Sequence, residues 1–199
     1  YARFEQQMKT NPAKVGQWVA KAMAVKQMSD SLYAFCQQLK EQIVTEADGK
    51  GADLANIKNK DNLEAAIHVM LAPITGKGGA LFAAINHYRE RILTMVTDER
   101  QRKIISSNLA TQLPRGAHAM GKNWQQYMFE NMPVAAAVTM LSKLQSDVRY
   151  AEGEVLHTLV SNIDLKDIRV NRLEAFVIPE SKTVISGDAF DARIVMAAV

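Results

Sequence analysis

The chain has 199 residues, 48% of them apolar and 23% charged, with a net charge of +3. That is enough for one or two domains with a self-sufficient core, and it excludes a chain that is disordered throughout. A single cysteine, Cys36, excludes an intramolecular disulfide. Only five prolines and ten glycines argue against an all-β sandwich, and the basic excess is spread evenly, with 13 basic and 11 acidic residues in 1–100 and 11 and 10 in 101–199, so it points to solvated helix faces rather than a nucleic-acid partner.

No stretch approaches the 18 or so apolar residues of a membrane span, and no signal-peptide pattern opens the chain. The sequence starts at Tyr1 and stops within the apolar Ile194–Val199, so it is expected to be an excised part of a longer protein. Residues 1–10 read as a separate helix or the tail of one. Residues 13–47 read as one long helix, because Trp18, Ala22, Val25, Ser29, Leu32, Cys36, Leu39 and Ile43 follow a 4-3 spacing that only Ser29 interrupts. Asp48-Gly-Lys-Gly51 ends it, and 49–60 is a polar loop. Asp61-x-x-Glu64 resembles a capping box before a helix carrying Leu63, Ile67, Met70 and Leu71, which Pro73 stops.

Gly76-Lys-Gly-Gly79 reads as a turn. A helix over 80–97 follows, with Leu81, Ala84, Ile85, Tyr88, Ile92 and Met95 on one face, and then another short helix, or a kinked continuation, over 99–112. Trp124, Tyr127 and Phe129 form an aromatic cluster expected to lock the short helices onto the base of a second long helix. That helix opens at Pro133 and runs to about Asn162 on Val134, Val138, Leu141, Leu144, Val148, Ala151, Val155 and Leu159. After Asp164 the period changes, and Ile168–Ile178, Lys182–Ser186 and Phe190–Val199 read as strands. The fold class is therefore mainly α: a helical bundle over 1–165 with two long amphipathic helices, then, over 166–199, the opening strands of an incomplete β-sandwich-like domain. The strands lack sandwich partners, so their edges are expected to pair with another copy or to lie in an extended or swapped arrangement.

Catalytic and ligand motifs are weak. Gly76-Lys77 fails the phosphate-loop pattern, because Leu71 and Gly78 stand where that pattern needs a Gly and a Ser or Thr. Glu154-x-x-His157 is half of a di-metal bundle motif, but the nearest match to a second half, Glu64 with His68, has the wrong spacing. His87 and His118 have no partner at ligand spacing. Cys36 lies on the apolar seam and reads as packing, as do Met23, Met28, Met70 and Met95. No catalytic, cofactor-binding or metal residue is nominated, and a non-catalytic protein is expected.

One series of residues narrows this further. Trp124-Gln-Gln-Tyr127, Phe129-Glu130 and Pro133 lead into Leu141-x-x-Leu144-Gln-x-Asp147 and Glu152-x-Glu154-Val155-Leu156. Glu174-Ala-x-Val-Ile-Pro179, Ser186-Gly187 and Phe190 follow. In order and spacing the series resembles the GldM/PorM family of gliding-motility and type IX secretion proteins, most strongly over 122–199. The resemblance implies a homodimeric periplasmic protein of Bacteroidetes, anchored in the inner membrane by an N-terminal transmembrane helix upstream of Tyr1. It implies that this helix pairs with a GldL/PorL partner in a motor driven by the proton-motive force. Later domains would reach an outer-membrane-associated ring of GldK/PorK and GldN/PorN, and the chain would transmit motion to it. The alternative from another class is a periplasmic ligand-sensing helical bundle.

Overall fold

The computed structural model describes residues 12–116, 120–166, 173–179 and 192–198. The expected helix at 1–10, His118 and the candidate strand Lys182–Ser186 lie outside them. The chain divides into two units, Tyr1–Ser161 and Asn162–Val199.

The regular elements among the described residues of the first unit are helices. Helix α1, Pro12–Asp48, is about 55 Å long at 1.5 Å per residue. It buries Ala22, Val25, Leu32, Cys36, Leu39 and Ile43, the face set by the 4-3 spacing. Each fully buried Leu or Ile there contributes about 2 kcal/mol relative to exposure. Gly49 ends α1 at φ +74°, a left-handed conformation that costs glycine nothing. The loop beyond is tied back to the helix end: the Asp48 carboxylate accepts from the backbone N–H of Lys58 and of Asn59, each at 2.8 Å.

Helix α2 is Glu64–Leu71. The expected capping box fails here, because Asn62, not Asp61, supplies the oxygen: its Oδ1 accepts from the backbone N–H of Glu64 and of Ala65. Helix α3, Gly78–Leu93, is shorter than the 80–97 expected. The chain turns after Leu93, and Asp98 starts helix α4, Glu99–Asn108, by accepting from the Gln101 N–H at 2.8 Å. Ala84 and Met95 are only half-buried.

Helix α5, Trp124–Phe129, opens with a true capping box, Asn123 with Gln126, that the sequence reading passed over. Trp124 and Phe129 are buried and stack edge to face at 6.2 Å, and Phe82 of α3 lies 5.6 Å from Trp124. Tyr127 is 46% exposed, so it does not belong to the expected aromatic knot. The six-residue helix has room to bury only the face that meets α2 and α3.

Helix α6, Val134–Lys166, is about 50 Å long. Carbonyls of the loop before α2 cap it: Lys60 accepts from the Ala135 N–H and Asn62 from the Val134 N–H, each at 3.1 Å. Its buried face is Val134, Ala137, Leu141, Gln145, Val148, Ala151, Glu152, Val155 and Leu159. Val138 and Leu144, expected on that face, are half-buried, and Ala137 and the polar Gln145 stand there instead.

In the second unit, β1 (Leu173–Pro179) pairs antiparallel with β2 (Ala192–Ala198), in the register Leu173 to Ala198 through Pro179 to Ala192. The architecture is mainly helical.

Candidate functional site, a polar seam between the long helices

In the middle of α1 a polar or amphipathic residue stands one position after each of four successive seam residues. Asp30, Tyr33, Gln37 and Lys40 follow Ser29, Leu32, Cys36 and Leu39. On α6, Ser142, Gln145, Arg149 and Glu152 follow Leu141, Leu144, Val148 and Ala151. Both stripes repeat at 3-4-3, so each lies beside the apolar face of its own helix.

The structure joins the two stripes. The Lys40 ammonium donates to Gln145 Oε1 at 2.6 Å and to Ser142 Oγ at 3.2 Å. The Gln145 amide donates to the Tyr33 carbonyl at 3.0 Å and to Gln37 Oε1 at 3.3 Å. Arg149 donates to Asp30 Oδ1 and to Glu152 Oε2, both at 2.7 Å, and its guanidinium lies 4.6 Å over the Tyr33 ring. Partners rise along α1 as they fall along α6, so the helices run antiparallel. Lys40, Gln145 and Glu152 are 4–6% exposed.

Ser29, the break in the apolar seam, is fully buried. Tyr88 Oη of α3 donates to the Val148 carbonyl of α6 at 3.1 Å, and Ser29 Oγ lies 2.8 Å from the same Oη. With the phenol proton on Val148, the serine hydroxyl is the donor to Tyr88. One phenol thus ties three helices. Burial pushes its pKa up to about 12. The Cys36 thiol is also pushed up to about 12 by burial, which keeps it protonated and unreactive. Asp30 is held below the usual carboxylate range, first by its hydrogen bond from Lys26 and then by Arg149.

The other sequence candidates fall elsewhere. Gly76 and Gly78 serve close packing: a Cβ on Gly78 would sit 2.7 Å from Gln125 Cβ, and one on Gly76 would sit 2.5 Å from the Ala72 carbonyl. His68 meets Glu46 at 3.0 Å, not Glu64. His87 and His157 are exposed, and no group of three or more His, Cys, Asp or Glu side chains stands at metal-binding spacing among the described residues. Met70 is core, but Met23 is 51% exposed, because it lies off the buried face of α1.

A groove of about 260 Å³ between α3, α5 and α6 is lined by Leu81, Ile85, Leu109, Trp124, Met140 and Leu144, with the Lys143–Asp147 ion pair among its lining. Among the described residues no helix is long and apolar enough to cross a membrane.

The seam was missed at the sequence level because Lys and Gln side chains on an amphipathic helix are ordinarily solvated. The signal that could have found it is the second stripe, in step with the apolar one on both helices. What the arrangement can do is hold two long rods together at several successive turns.

No curated protein matches the chain. Two family models do: the GldM N-terminal domain over residues 1–162 and the GldM second domain over residues 164–199. The chain therefore belongs to the GldM family of gliding and type IX secretion motor subunits.

Proposed function

We propose that this chain is a non-catalytic, periplasmic stretch of its motor subunit. It passes motion driven by the proton-motive force from an inner-membrane complex toward an outer-membrane-associated ring. The observation that carries this reading is the antiparallel pair of α1 and α6, each about 50 Å long and bridged by side chains over residues 30–40 and 142–152. A strut needs length and stiffness, and this pair supplies both. The reading includes a homodimer, a membrane helix upstream that pairs with a GldL/PorL-like partner, and later domains that meet GldK/PorK- and GldN/PorN-like ring proteins. It also makes residues 166–199 the first strands of a sandwich-like domain whose remainder follows. Deleting the β domains after the helical one should abolish secretion and gliding while leaving the inner-membrane complex assembled. Secretion at the wild-type level after that deletion would overturn the reading.

The second reading, a ligand-sensing bundle, is supported by the groove beside Trp124. It has apolar walls and a few polar groups, the composition of a small-molecule site. A saturable change in Trp124 fluorescence with a periplasmic solute would favour it.

A further inference from the structure

We propose that the polar stripes of α1 and α6 are a register lock, which fixes how far along each other the two long helices lie and resists sliding between them. This deepens the transmission reading and rests on it. The apolar seams cannot do the job alone. The α1 seam repeats at 4-3 spacing and Val134, Leu141, Val148 and Val155 of α6 recur every heptad, so displacing α6 by one heptad, about 10 Å, again sets mostly apolar residues against apolar residues.

The stripes do discriminate. In the observed register the Arg149 guanidinium lies over the Tyr33 ring and donates to Asp30. One heptad from Tyr33 along α1 is Lys40 in one direction and Lys26 in the other. A heptad slip either way therefore replaces a cation–aromatic contact with a pair of like charges. Glu152 sits on the same helix as Arg149 and stays with it in any register, so of the Arg149 partners it is Asp30 and Tyr33 that report where α1 lies. Gln145 gives a second reading of the same register. Its amide oxygen takes the Lys40 ammonium, and its nitrogen takes the Tyr33 carbonyl and Gln37. One heptad toward the C-terminus of α1, Val44 and Ala47 replace Gln37 and Lys40 and offer the amide no side-chain partner; in the other direction Asp30 can accept from the amide as Gln37 does, so that slip is opposed by Arg149 meeting Lys26. Buried polar groups of this kind specify alignment at a cost in stability, since an apolar pair of the same volume would pack as well or better.

The test uses the 199-residue chain spin-labelled through Ala24→Cys and Thr139→Cys, two exposed positions on α1 and α6, and diluted with unlabelled chain. Cys36 is buried and protonated and does not compete for the label. Pulsed dipolar spectroscopy should give one narrow distance for the parent. In Lys40→Met with Gln145→Leu, the melting temperature should be at least that of the parent. The distance distribution should broaden or gain a population displaced by about 10 Å. Arg149→Gln, at a half-exposed side chain, should show the same broadening and serves if the double variant does not fold. A single unchanged distance in a folded variant overturns the lock and leaves the transmission reading untouched. A displaced population together with unimpaired secretion by the same substitutions in the full-length protein supports the lock and overturns transmission.

Discussion

Gly78 and Gly153 are both helical glycines, and the structure gives them opposite values. A Cβ on Gly78 would lie 2.7 Å from Gln125 Cβ and 2.8 Å from the Met70 carbonyl, where α3 begins against α2 and α5. A Cβ on Gly153 would meet nothing within 4 Å. Gly78→Ala should therefore destabilise the chain by about 1–3 kcal/mol through overpacking. Gly153→Ala should stabilise it by up to about 1 kcal/mol through helix propensity. Both substitutions restrict the unfolded chain alike, so the difference between their urea midpoints isolates the clash. Equal midpoints would show that α2, α3 and α5 do not meet as closely as described. Neither value is legible in the sequence. Gly76-Lys-Gly-Gly79 announces a turn, but what a side chain would strike there depends on Gln125, almost fifty residues away. Ser29 is a similar case. Its spacing shows that it faces the core, and only the fold shows the Tyr88 phenol that satisfies it.

At the scale of the element, α1 and α6 were readable because apolar residues sustained at three- and four-residue spacing from Trp18 to Ile43 and from Val134 to Leu159 have one structural solution. The short elements were not. Helix starts at Asp98 and Asn123 are set by caps, and each cap rests on one or two hydrogen bonds that compete with equally plausible neighbours, as Asp61 competes with Asn62. The loop after α1 shows how much a cap can organise. Asp48 accepts from the Lys58 and Asn59 backbone N–H groups, and the Asn59 amide donates to the Ala47 carbonyl at 2.8 Å. The Lys58 N–H is the foremost cause holding the Asp48 carboxyl below its ordinary value. Asp48→Ala should raise hydrogen exchange at the amides of Lys58 and Asn59 by tenfold or more while leaving the interior of α1 protected. Unaltered exchange at those two amides would mean that the loop holds its shape without the carboxylate.

Across the whole molecule, the buried and bridged titratable groups set the pH range of stability. Asp30 and Asp48 have depressed values in the fold. Their contribution is complete above the unfolded carboxylate range, near pH 4, and is lost as pH falls through the folded values. Cys36 and Tyr88 act at the other end. Unfolded, they release their protons near 9.0 and 10.0; in the fold burial keeps both protonated to about 12. The unfolded chain then binds fewer protons than the folded one, so stability falls as pH rises from about 9 toward 12. Tyr88→Phe separates the two groups. It removes the phenol bonds to Ser29 and Val148 and should lower the neutral-pH stability by about 1–2 kcal/mol. It also removes the titration that begins near 10, so its curve should descend less steeply than the parent's and approach it toward pH 12. Urea denaturation at stepped pH measures both effects. Parallel curves would mean that the phenol at the junction of α1, α3 and α6 ionises as freely in the fold as outside it. The tie of Tyr88 to Ser29 and Val148 would then not be a dry, fully bonded contact.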